Sequence, residues 1–275
     1  MKILNQPSLI ALSASAALLV AGCQSGTRSE DAAYVERPVE ALYNAAIDEI
    51  DQRDYEQAIV LFNEVERQHP YSEWARRSTL MSAFSSYRSR RYVDAISTAE
   101  RYIALHPGTE GAAYAYYLIG VSQFEQIVDV GRDQRTTELA KAALDEVVRR
   151  FPESEYAKDA GLKIDMVDDQ LAGKEMAVGR WYLRRNQHLS AINRFRTVVT
   201  DYQTTSHTPE ALHRLVEAYL SIGLREEAQA AGAVLGYNYP DSVWYRDSYR
   251  LLTGAGLNPE AVDEKKREGF LSRLF

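Results

Sequence analysis

One spacing recurs along the 275-residue chain and limits its fold more than any other feature. It asks for an alanine, a large apolar residue four positions on, a small or apolar one seven on, and a proline twelve on. Ala58, Phe62, Val65 and Pro70 fit it, as do Ala95, Ala99, Tyr102 and Pro107. So do Ala140, Leu144, Val147 and Pro152, then Ala191, Phe195, Val198 and Gln203, then Ala228, Gly232, Leu235 and Pro240. Four of the chain's eight prolines stand at this one position, which makes the register hard to attribute to chance. The physical content is simple. Alanine lets one helix cross another closely, and the residues four and seven on share its face and fill the groove. Proline lacks an N–H and steers the residue before it away from the helical region, so the helix stops there.

A second helix checks the register. Twelve positions before each alanine stands Ala46, Ala83, Gly179 or Val216, and Gly120 once eight inserted residues are allowed. Val216 is the poorest match to the small residue wanted there. Each unit is thus a first helix (A) and a second helix (B), and the pattern resembles the tetratricopeptide (TPR) signature. No run alternates between apolar and polar long enough to argue a strand. The expected fold is all-α, a TPR superhelix of five helix-turn-helix repeats with a capping helix. Ser242–Leu252 fits the cap, with Arg246, Asp247 and Arg250 on its outer side. One such unit cannot bury its apolar face alone, so residues 39–253 are read as a single array.

The alanines are spaced by 37, 45, 51 and 37 residues. The third unit carries about eight extra residues around Val128–Arg135, charged and containing Gly131, which reads as a loop on one edge. The fourth carries about fourteen extra near Tyr156–Leu171, close to four whole turns, so its helix A extends without rotating its packed face. The spacing predicts one helix from about Tyr156 to Arg185, roughly 45 Å long.

Before the array lies an address. Lys2 is followed by an uncharged stretch from Ser8 to Val20, long enough for a secretory signal and too short to cross a bilayer. It ends Val20-Ala21-Gly22-Cys23, with small residues before the chain's single cysteine. This is similar to the lipobox of bacterial lipoproteins. That resemblance implies cleavage after residue 22, lipid on Cys23, and outer-membrane sorting from Gln24. Several acyl chains at about 0.8 kcal/mol per buried CH₂ anchor a protein stably. Residues 24–38 are polar without an apolar period and read as a flexible linker. The expected organisation is signal 1–22, lipidated cysteine and linker 23–38, repeat domain 39–253 and C-terminal tail 254–275. In the tail, Phe270, Leu271, Leu274 and Phe275 fall on one side of a short helix. That end docks on a partner, folds back on the array, or frays.

Composition enters as exclusion. The net charge of −7 argues against a nucleic-acid surface. One cysteine excludes an internal disulfide. No P-loop or nucleophile elbow is present, and Gly173-Lys174 stands alone. His69 and His106 precede repeat prolines, and His207 and His213 are six apart, off a common helical face. Asp165, Asp168 and Asp169 read as a solvated helix face. No catalytic residue, metal or cofactor is expected. What such an array offers is a groove lined by A helices, suited to extended peptides or partner helices. Tyr43, Tyr87, Tyr116 and Tyr117 are candidates to line it, with packing inside the repeat as the competing use. Arg76 and Arg77 belong to a basic run that serves as a solvated face or captures a partner's terminal carboxylate.

The combination of lipobox, polar linker, five TPR units, inserted loop and stretched helix resembles the BamD family of outer-membrane assembly lipoproteins. The runs His69–Ser78 (HPYSEWARRS), Ala115–Gly120 (AYYLIG) and Ser190–Tyr202 (SAINRFRTVVTDY) strengthen the likeness, which spans about residues 35–253. The resemblance implies a non-enzymatic scaffold, lipid-anchored at the periplasmic face of the outer membrane. Its N-terminal units would hold segments of unfolded outer-membrane proteins. Its C-terminal units would dock on the periplasmic POTRA domain of the barrel subunit BamA and on other Bam lipoproteins. The family's docking arginine would be Arg194, with Asn193 and Arg196 beside it. A periplasmic TPR adaptor between envelope constriction and peptidoglycan synthesis is the alternative; such adaptors usually carry an N-terminal coiled coil and no lipobox.

Overall fold

The computed structural model describes residues 36–274, with side chains through 272. The signal segment, Cys23 and the linker up to residue 35 lie outside the described residues. Residues 39–275 form one unit.

Twelve α-helices and no strand occur among the described residues. They are α1 (Val39–Asp51), α2 (Tyr55–Gln68), α3 (Glu73–Arg88), α4 (Tyr92–Leu105), α5 (Gly111–Phe124), α6 (Arg135–Arg150), α7 (Glu155–Leu183), α8 (His188–Asp201), α9 (Thr208–Ser221), α10 (Arg225–Asn238), α11 (Val243–Gly254) and α12 (Glu264–Leu274). A 3₁₀ turn, Pro259–Ala261, precedes α12. The odd-numbered helices α1 to α9 are the A helices, and α2 to α10 are the B helices. From α1 to α11, each helix packs on the next in sequence.

The repeat register lands on the core. Ala58, Phe62, Val65, Ala95, Ala99, Tyr102, Ala140, Leu144, Val147, Ala191, Phe195, Val198, Ala228 and Leu235 are all buried. The small residues of the A helices meet them directly. A Cβ on Gly120 would lie 2.7 Å from the Leu144 side chain, and one on Gly179 would lie 2.4 Å from the Phe195 ring. Val216, the poorest match, is also fully buried.

Two turns repeat as faithfully as the helices. In the turn from A to B, Arg53, Arg90, Asn186 and Gly223 adopt positive φ of 64°, 62°, 57° and 80°. Each stands five positions before its unit's alanine. The next residue sends its N–H back to the A helix, as Arg91 does to Ser86 at 2.8 Å. This is a Schellman closure, and only the fifth unit uses the glycine that the conformation favours. The turn from B to the next A starts at the residue before the repeat proline. His69, His106, Phe151, Tyr202 and Tyr239 share φ near −132° and ψ near 52°, and each donates its N–H to the residue seven past the alanine. Three positions on stands Ser72, Thr109, Ser154, Thr205 or Ser242. Ser72, Ser154 and Ser242 cap the next helix by accepting from Ala75, Ala157 and Tyr245.

The insertions fall where the spacing puts them. Residues 125–134 form the loop of the third unit, and α7 runs unbroken for 29 residues past Gly173. The loop is tied to α7 on its far side. Gln170 donates to the Val128 carbonyl at 2.7 Å and Lys174 to the Arg132 carbonyl at 3.2 Å. The acids of α7 differ from expectation. Asp168 pairs with Lys141 of α6 at 3.0 Å, and Asp169 accepts from the N–H and hydroxyl of Ser206 at 3.0 and 2.7 Å. The long helix lies between α6 and the turn before α9, so two of its three carboxylates meet partners. Of the three, Asp165 alone is exposed.

The array also continues past α11. The 3₁₀ turn packs on α10, and α12 packs on α10 and α8 with Phe270 buried among core residues. The tail therefore folds back on the array. The side chains of Leu274 and Phe275 lie outside the described set.

Candidate partner-binding faces

A helices of adjoining units touch directly, α1 with α3, α3 with α5 and α5 with α7, whereas B helices of adjoining units are spread apart. Units one to four therefore curl with their A helices on the inner side. That face is aromatic, and its aromatics follow the repeat. Three residues before the small position of helix A stand Tyr43, Tyr117 and His213; four after the repeat proline stand Trp74, Tyr156 and Trp244. Each of the first set meets one of the second across a unit boundary. The ring centroids lie 4.8 Å apart for Tyr43–Trp74, 5.3 Å for Tyr117–Tyr156 and 5.2 Å for His213–Trp244. A cation caps two of these clasps, Arg77 over Trp74 at 5.6 Å and Arg214 over Trp244 at 5.4 Å.

The richest stretch spans α3, α5 and α7. Tyr114 stacks with Tyr117 and tilts against Tyr156 at 5.2 Å. Tyr117 donates its hydroxyl to Asp159 at 2.5 Å, and Lys163 holds the same carboxylate at 2.7 Å. Burial pushes the Tyr114 hydroxyl pKa well up; burial and then the Asp159 hydrogen bond do the same for Tyr117. Lys163 and then Tyr117 hold Asp159 below the usual carboxylate range. The phenols thus stay neutral donors beside a charged pair, an arrangement that offers both ring area and polar handles to a bound chain. Tyr87 reaches toward the same region, its hydroxyl 3.5 Å from Glu125.

The six groove candidates do not form one site. Tyr87 and Tyr117 share the inner face of α3 and α5. Tyr43 sits at the first clasp, edge-on to Phe62 at 5.5 Å. Tyr116 is turned toward α6, where it meets Phe151 at 5.6 Å and Arg150 at 5.1 Å. Consecutive helix positions point about 100° apart, so Tyr116 and Tyr117 serve different neighbours. Arg76 and Arg77 both pair with Glu73 of their own helix, at 3.1 and 3.2 Å. Sequence reasoning missed Trp74 and Tyr156, although both stand at the same distance past a repeat proline.

A second face lies on the outside of α8. Ala191, Ile192, Phe195, Val198 and Val199 point into the core. The same periodicity turns Asn193 and Arg194 outward, both exposed, with Arg196 half-buried. Arg194 is held by both carboxylate oxygens of Glu175 on α7, at 3.1 and 3.3 Å. It lines a shallow cavity of about 230 Å³ with Tyr182, Ser190, Asn193 and Thr197. Asn193 and Arg196 also line a more apolar cavity of about 290 Å³ with Leu189, Ile192, Leu224 and Phe270. No group of three or more metal-type ligands is gathered among the described residues, and none of their helices is long and apolar enough to cross a membrane.

Comparison with known proteins places these faces in context. The family model described as YfiO, outer membrane lipoprotein, matches residues 35–235. A protein of Caulobacter vibrioides named outer membrane protein assembly factor BamD is 56% identical over 262 residues, covering 95% of this chain and 86% of the relative. Its namesake in Rickettsia prowazekii is 43% identical, covering 86% of this chain and 92% of that one. A third, from Neisseria meningitidis, is 33% identical over 85% and 92% of the two chains.

Proposed function

The chain belongs to the BamD family of outer membrane protein assembly factors, and from that premise we propose that it holds two kinds of partner on two faces of one array. The inner aromatic face of units one to four takes extended segments of unfolded outer-membrane proteins. The outer face of α8, through Asn193, Arg194 and Arg196, docks on the POTRA domain of BamA. Other Bam lipoproteins join the same assembly. Lipid on Cys23 fixes the array to the periplasmic face of the outer membrane. The scaffold acts by binding and not by catalysis.

The observation that carries this reading is the separation of the two faces. Neutral phenols and aromatic clasps line the inside, whereas an exposed arginine, already oriented by Glu175, stands on the outside. A guanidinium fixed by a helix-borne carboxylate loses little side-chain freedom on meeting an acidic partner. Arg194→Glu tests the docking face. Binding of the purified lipoprotein to the periplasmic domain of BamA is expected to weaken about tenfold, equivalent to ~1.4 kcal/mol. Helicity should be unchanged, because Arg194 is exposed. Unaltered binding would overturn the assignment.

A further inference from the structure

The last helix covers ground that the docking face also uses. Phe270 is the single fully buried side chain among the described residues of α12, at 2% exposure. It enters the core formed by α8, α9 and α10. It also lines the 290 Å³ cavity together with Asn193 and Arg196. Whatever engages those two residues meets the seat of Phe270.

Much of the rest of α12 faces solvent. Glu264, Lys265, Lys266 and Glu268 are exposed. An open groove of about 620 Å³ runs along α10 and the start of α12, lined by Gln229, Ala230, Val262, Lys266 and Gly269 among others. Among the described contacts, Leu271 packs against the same core and Arg267 lies over the Tyr237 ring at 4.4 Å. By contrast, the segment before α12 is firmly tied: Arg225 donates to the Ala255 carbonyl and Gln229 to that of Asn258, at 2.5 and 2.6 Å. Release at Val262–Asp263 would free α12 and leave the array closed. The family model matches residues 35–235, which include α8; α12 lies beyond that match.

We propose that α12 is a displaceable strap that occupies part of the α8–α10 face and must leave before the partner of Asn193, Arg194 and Arg196 can dock fully. The proposal rests on the docking reading above. The occupant that replaces the strap is the POTRA-bearing partner, presenting an apolar side chain to the vacated Phe270 seat and acidic groups to the arginines. The strap lowers apparent affinity by the fraction of time it is closed.

The full-length lipoprotein in detergent is titrated with the purified periplasmic domain of BamA. Phe270→Ser is expected to tighten binding about tenfold, and a synthetic peptide of residues 263–275 to reverse that gain. Should Phe270→Ser disturb the array, Arg267→Glu loosens the strap from the surface and is expected to tighten binding in the same direction. Hydrogen exchange of α12 should speed up in the complex. Weaker or unchanged binding in both variants, or slower exchange of α12 on complex formation, would overturn the strap. If Arg194→Glu has no effect in either background, or no complex forms, the docking reading fails and takes the strap with it. If Arg194→Glu weakens binding while both strap variants leave it unchanged, the strap alone fails.

Discussion

At the scale of single residues, the array depends on small side chains where helices cross, and two glycines of one helix separate the effects. Both lie within α7. A Cβ on Gly179 would lie 2.4 Å from the Phe195 ring, whereas one on Gly161 meets nothing within 4 Å. Gly161→Ala should therefore stabilise the chain by about 0.5–1 kcal/mol through backbone entropy. Gly179→Ala carries the same entropic gain but overpacks the α7–α8 crossing, and a net loss of about 1–3 kcal/mol is expected. Denaturant melts of the two variants check the opposite signs. The position of Gly179 was legible from its distance to Ala191. The left-handed Arg53 and Arg90 were not, because arginine gives no hint of positive φ; only the structural repeat exposes them.

At the scale of elements, the turn between units is set by more than proline. Tyr202, before Gln203, has φ −131° and ψ 43°, close to the −132° and 55° of His69 before Pro70. Thr205 sends its hydroxyl to the Tyr202 carbonyl at 2.8 Å, as Ser72 does to His69. The cap and the backbone already form the turn, and proline adds rigidity. Gln203→Pro should then raise stability by about 0.4–1 kcal/mol by restricting the unfolded chain, measured as a higher melting temperature. A fall would show that the fourth turn differs from the other four. The extended α7 was legible because its extra length is close to a whole number of turns. The fate of the tail was not: an apolar side on a short helix says that something covers it, not what. The paired acids of α7 were misread for a related reason. Their partners, Lys141 and Ser206, are distant in sequence and come near only once the helices stack.

At the scale of the whole molecule, burial is uneven. The largest cluster of buried residues joins α7 to α12 through Phe195, Leu212, Leu215, Leu235, Leu252 and Phe270. The cluster of the first unit is smaller, centred on Ala46, Ala58 and Phe62. In a linear array each unit is stabilised mainly by its neighbours, so the N-terminal end is the softer one. The proposed client face lies on that softer end, where adjustment to varied segments costs least. The proposed docking face lies on the stiffer end, where Arg194 is held in place. Both faces follow from the same helical period, which buries one side and presents the other. Sequence spacing located the helices, and the family resemblance pointed to the proposed docking residues, but sorting six groove candidates into inward and outward positions required the packed rings. The direct test places a photo-reactive residue at Tyr87 and, separately, at Asn193 in living cells. The account predicts unfolded outer-membrane proteins crosslinked from position 87 and BamA from position 193. BamA captured from position 87, or client proteins from position 193, would contradict it.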